Sequence, residues 1–217
     1  FLIIATMIII AALFFQKYLL LTPTSKTASS FKKIRRPDGS LLLLGAIAFC
    51  CLSAEGCMFD WSGVYFRDVV EAEGSWVSLG YASFMIMMAT GRFTGDRLAR
   101  RFGRKRMVQL SGLLIFSGMM IAVLFPSLII ATIGFMIVGL GVSSIIPLMY
   151  STAGKVKEVA SGIAIATVSG VGFFGFLMGP PLIGYIAELT GLPVSFAVIA
   201  LLGIVISLLI NRVKEID

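Results

Sequence analysis

The sequence contains no histidine, and only 13% of its 217 residues are charged, against about 25% in an average soluble domain. Without imidazole it lacks the commonest proton shuttle and transition-metal ligand. Its three cysteines, Cys50, Cys51 and Cys57, share one apolar run. That placement argues against a disulfide framework or a zinc site and leaves them as small packing residues. Scarce charge excludes more: the 18 basic and 11 acidic residues sit in a few short stretches, too few to cover a water-soluble fold of this size. In their place 58% of the residues are hydrophobic and the mean hydropathy is +1.01. An all-α, polytopic membrane protein follows. A crossing helix needs roughly 20 apolar residues, so about seven crossings fit the length.

The net charge of +7 is clustered between apolar runs, as the positive-inside rule leaves it, and no basic stripe alternates with exposed aromatics. No nucleic-acid partner is expected. The chain opens at Phe1, already inside an apolar run, so residues 1–21 are expected to be the later part of a spanning helix. Residues 22–40 are rich in Ser, Thr, Pro and base, and read as a polar linker. Six further crossings are expected across 41–211, with a short tail at 212–217.

The second crossing, 41–66, carries Glu55 and Asp60. The third, 74–91, is uncharged, and Trp61 and Trp76 flank the acidic loop between the two, where interfacial rings belong. Residues 107–154 contain no charge and must cross twice, turning at Phe125-Pro126-Ser127. The last two crossings, 159–187 and 189–211, are separated at Glu188 and Thr190-Gly191-Leu192-Pro193. Seventeen of the 18 basic residues then fall on one side or within its helix ends, with Arg67 alone opposite. That bias makes the linker, the 92–106 cluster and the tail cytoplasmic.

The most specific stretch is 91–106, GRFTGDRLARRFGRKR. Its Gly91, Asp96, Arg97, Gly103, Arg104 and Lys105 resemble the signature loop of the major facilitator superfamily, in which a Gly precedes Asp-Arg and then Gly-Arg-Lys. Asp96 and Gly103 stand seven residues apart, about one helical turn more than the family's usual spacing. On composition alone the stretch reads first as a basic anchoring loop. The order of one crossing, a linker and six crossings resembles helix six and the second half of such a transporter, and residues 55–68 resemble the branch near bacterial sugar permeases. The resemblance implies a half-bundle whose missing N-terminal half completes a central cavity, and no cofactor. It implies secondary active transport of a small solute by alternating access, proton-coupled, in a bacterial inner membrane. Uptake of a sugar-like or other polar solute is preferred to export of amphipathic, drug-like compounds. A membrane sensor or a membrane-embedded enzyme is the rival from another class. An enzyme lacks support, since His is absent and no two carboxylates share a face.

Glu55 lies 14 residues beyond Leu41, about 21 Å along a helix. A charge facing lipid there costs about 2.5–3.5 kcal/mol, so it must face protein or water. It reads either as a substrate or proton site or as a packing carboxyl. Asp60, five residues on, is rotated by about 140° and belongs to another face, near the outer interface with Trp61, where it reads either as an interfacial residue or as part of an outer gate in the solute path. Tyr81, Phe84, Phe173 and Phe174 are candidate cavity aromatics, or packing. Ser143 and Ser144 offer hydroxyls to a cavity, and Pro147, Gly179 and Pro180 are expected to let helices bend. No metal site is expected.

Overall fold

A computed structural model of the chain describes residues 39–156 and 159–213 together with Thr6, the side chain of Asp96 excepted. The expected first helix, apart from Thr6, the linker before Gly39 and the tail beyond Val213 lie outside the described residues. Within them every regular element is helical: α1 is Gly39–Asp68, α2 Leu79–Phe102, α3 Arg104–Leu124, α4 Leu128–Ala153, α5 Ser161–Thr190 and α6 Leu192–Leu209. A 3-10 turn, Gly74–Ser78, leads into α2, and another, Ile210–Arg212, follows α6. Five of these helices, all but α2, are long and apolar enough to cross a membrane.

The reversals are short because each has its own stop signal. Phe125-Pro126-Ser127 separates α3 from α4, and Ser127, in extended conformation, caps the start of α4. Gly103 and Gly191 occupy positive φ, +84° and +92°, a region costly to a residue with a Cβ. Pro193 then sits in the first turn of α6, where its missing N–H removes no helix bond.

Two boundaries differ from the sequence reading. The third crossing does not stop at Gly91: α2 runs on to Phe102, so most of the stretch expected as a loop is helix and only Gly103 turns the chain. Arg, Leu and Ala are good helix formers, and Gly95, the one glycine in 92–102, stays within the helix. Glu188 and Thr190 likewise belong to α5, which ends at Gly191.

Packing follows small residues. The parallel helices α1 and α5 meet where Gly175 lies against the Phe49 carbonyl and Gly179 against that of Ser53, and the Ser53 hydroxyl donates to the Gly175 carbonyl at 3.0 Å. Helices α2 and α4, also parallel, meet through Gly91, Gly95 and Gly139. Antiparallel α3 and α6 cross at Gly112 and Gly203. Near the Trp61 end, an aromatic cluster joins three helices. Tyr65 of α1 is 4.5 Å from Phe196 of α6 and 5.7 Å from Phe135 of α4 between ring centres. Its hydroxyl donates to the Ala122 carbonyl of α3 at 3.0 Å, which satisfies the polar tip of an otherwise apolar ring.

Candidate functional site

The centre of the site is an ion pair. Glu55 of α1 is only 7% exposed, and its Oε1 lies 3.6 Å from an Arg92 terminal nitrogen on α2. Glu55 is thirteen residues before the end of α1 and Arg92 thirteen after the start of α2. In two antiparallel helices joined at that end, equal spacing places both groups about 20 Å along from the connection. The carboxylate thus meets a counter-charge at its own depth. Arg92 also donates to the Met88 sulfur at 3.8 Å, and about half of its side chain is exposed. A guanidinium carries five N–H donors, so it retains donors for another acceptor.

One turn beyond Glu55, Phe59 gathers rings from two other helices: Tyr81 at 5.7 Å, Phe84 at 6.1 Å and Phe176 at 5.9 Å, all edge-on. This places an aromatic layer over the pair. Tyr81 is partly exposed while Phe84 is fully buried.

Beyond that layer an open groove of about 550 Å³ is lined by Asp60, Trp61, Val64, Phe176, Leu177, Pro180 and Pro181. Pro180 and Pro181 have no N–H, so the carbonyls of Phe176 and Leu177, four residues earlier, lose the donors an α-helix supplies. The Phe176 carbonyl points at α1, where a Cβ on Gly56 would lie 2.7 Å from it. The Trp61 indole N–H is already engaged, donating to the Pro180 carbonyl at 3.0 Å. The groove therefore sets the Asp60 carboxylate beside an apolar wall that includes the Trp61 and Phe176 rings.

The other sequence candidates are distributed as follows. Ser144 is buried between α2 and α4, its hydroxyl 3.3 Å from that of Ser143 and against Gly95. Phe173 is exposed on α5, and Phe174 is 6.2 Å from Phe49. Asp60 and Glu55 serve different faces, as their rotation required. Arg67 pairs with neighbouring Asp68 at 2.6 and 3.0 Å, in solvent. Pro147, Gly179 and Pro180 lie inside continuous helices. Arg97, Arg104 and Lys105 cluster at the far end of α2 and the start of α3, with the Lys105 Nζ donating to the Asn211 carbonyl at 3.3 Å. The Asp96 side chain lies outside the described residues.

Arg92 and Phe59 were not singled out by sequence reasoning. Ending the third crossing at its first base put Arg92 in a loop. Carrying the helix onward and matching distances from the shared connection would have paired it with Glu55.

The sequence profile of the Major Facilitator Superfamily matches residues 1–160 and again 75–215. An uncharacterized MFS-type transporter of Yersinia pestis is 37% identical over 166 residues, covering 76% of this chain and 43% of that protein. Membrane protein MosC of Rhizobium meliloti is 34% identical over 167 residues, 77% of this chain and 41% of that protein. Among solved structures, the proton:xylose symporter XylE bound to 6-bromo-6-deoxy-D-glucose superposes with a TM-score of 0.70 at 16% identity, over 82% of this chain and 45% of that one. XylE from E. coli in an inward open conformation gives 0.68 at 16%, over 81% of this chain and 48% of that one. The chain spans less than half the length of each of these proteins. With a family profile that reaches almost every residue and curated relatives above 30% identity, the chain belongs to the Major Facilitator Superfamily.

Proposed function

We propose that the chain is the C-terminal half, with the preceding helix, of a secondary transporter that takes up a small polar solute by alternating access. The observation that carries this reading is the Glu55–Arg92 pair. It brings an acid and a base together on facing helices about 20 Å from their connection, where an isolated charge is costly. Glu55 is its proton-carrying group and Arg92 the counter-charge whose spare donors meet solute or a second acid. The groove at Asp60 supports a hydroxyl-rich, sugar-like solute, since its carboxylate suits donating hydroxyls and its aromatic wall suits a sugar's C–H face. Under this reading an N-terminal half completes the central site. The basic 97–106 end, the linker and the tail face the cytoplasm, and the bacterial relatives favour an inner membrane.

The groove's apolar majority, Val64, Phe176, Leu177, Pro180 and Pro181, favours a second reading, export of an amphipathic compound. Proteoliposomes holding the full-length polypeptide separate the two. An imposed pH gradient is expected to drive accumulation of a pentose or hexose from a labelled panel. Movement of ethidium with no sugar flux supports export, and no flux of either overturns the transporter reading.

A further inference from the structure

A second groove, of about 460 Å³, lies between α3 and α6 at the basic end and is lined by Arg106, Gln109, Leu110, Leu113 and Ser207. The two helices are fastened around it: the Ser207 hydroxyl donates to the Gln109 carbonyl at 2.9 Å, and the Gln109 amide donates to the Asn211 side-chain carbonyl at 2.7 Å. These bonds employ the neutral groups and leave Arg106 over. Among the described residues the ion pairs are Arg67 with Asp68 and Arg92 with Glu55, so none of Arg104, Lys105, Arg106 and Arg212, at the same end of the bundle, is paired with a described acid. Arg106 is exposed at the third position of α3, and Leu110 and Leu113, 48% and 50% exposed, follow about 6 and 10 Å deeper along the same helix. An unpaired cation at the end of a spanning helix, with an apolar trough running inward from it, matches a molecule with an anionic head and a hydrocarbon tail.

We infer that this groove binds one anionic phospholipid, its phosphate on Arg106 and the neighbouring bases and an acyl chain along Leu110 and Leu113. The site is separate from the proposed solute path, which lies on α1, α2 and α5. It rests only on the chain's being membrane-spanning. A lipid held there would clamp α3 to α6 in the membrane plane, beside the Gly112–Gly203 crossing.

Native mass spectrometry of the full-length polypeptide, titrated with phosphatidylglycerol or with phosphatidylcholine of the same acyl chains, tests this. The tightest site is expected to prefer phosphatidylglycerol, and Arg106→Gln to weaken that binding about fivefold. Arg106→Lys should retain most of the preference, and Arg67→Gln, at the other end, all of it. Equal binding of the two lipids, an unaltered preference in Arg106→Gln, or displacement of the lipid by millimolar inorganic phosphate each overturns the inference. Retention by Arg106→Lys together with loss in Arg106→Gln separates lost charge from lost fold.

Discussion

At the scale of single residues, what distinguishes the charged groups is whether they have partners. Glu55 is buried and Arg92 supplies its counter-charge at 3.6 Å. Arg92→Gln alone strands a charge, whereas Arg92→Gln with Glu55→Gln removes both. Thermal unfolding in detergent should show the double variant closer to the parent than the sum of the singles, with a coupling of about 1 kcal/mol. Strict additivity would separate the two residues. Gly91 and Gly95 make a second comparison, because both face serines of α4 yet not equally. A Cβ at Gly91 would come within 2.7 Å of the Ser143 Cβ, which cannot turn away. At Gly95 the nearest atom is the Ser144 hydroxyl at 2.5 Å, with its Cβ at 3.5 Å, and a hydroxyl rotates. Gly91→Ala is therefore expected to cost about 1–3 kcal/mol by overpacking, and Gly95→Ala clearly less. Equal losses would contradict this packing of α2 on α4.

At the scale of helices, Pro180 and Pro181 take two N–H groups out of α5, and Trp61 braces the break by donating to the Pro180 carbonyl at 3.0 Å. Trp61→Phe keeps most of the ring and removes the donor. It should lower stability by about 1 kcal/mol, read as a lower unfolding temperature, and alter the groove beside Asp60. The helices themselves were largely legible in the sequence, since 107–154 had to cross twice and Phe125-Pro126-Ser127 had to turn. The end of α2 was not legible from hydropathy. Charge marks where the chain leaves hydrocarbon, and helix propensity carries the backbone on regardless, so the two boundaries fall eleven residues apart, at Gly91 and Phe102. The same distinction hid Arg92. Glu55 stood out because it interrupts an apolar run, whereas Arg92 was one base among many. Ser144, a hydroxyl that reads as cavity-lining in the sequence, is buried between α2 and α4, 3.3 Å from the Ser143 hydroxyl. Rotation about α1 was readable, because helical geometry alone sets Asp60 apart from Glu55.

At the scale of the whole molecule, the six described helices form pairs sealed by glycine and serine, with an acid and a base held between α1 and α2 and a groove lined by Asp60 and apolar side chains beside them. Rocking of such a bundle against a second half concentrates a solute only if some group changes state with the gradient, the role proposed here for Glu55. The most direct measurement is transport by Glu55→Gln in proteoliposomes, comparing pH-driven accumulation with solute exchange at equilibrium. The prediction is that an imposed pH gradient no longer concentrates the solute while exchange persists. Accumulation with the parent's pH dependence would contradict it.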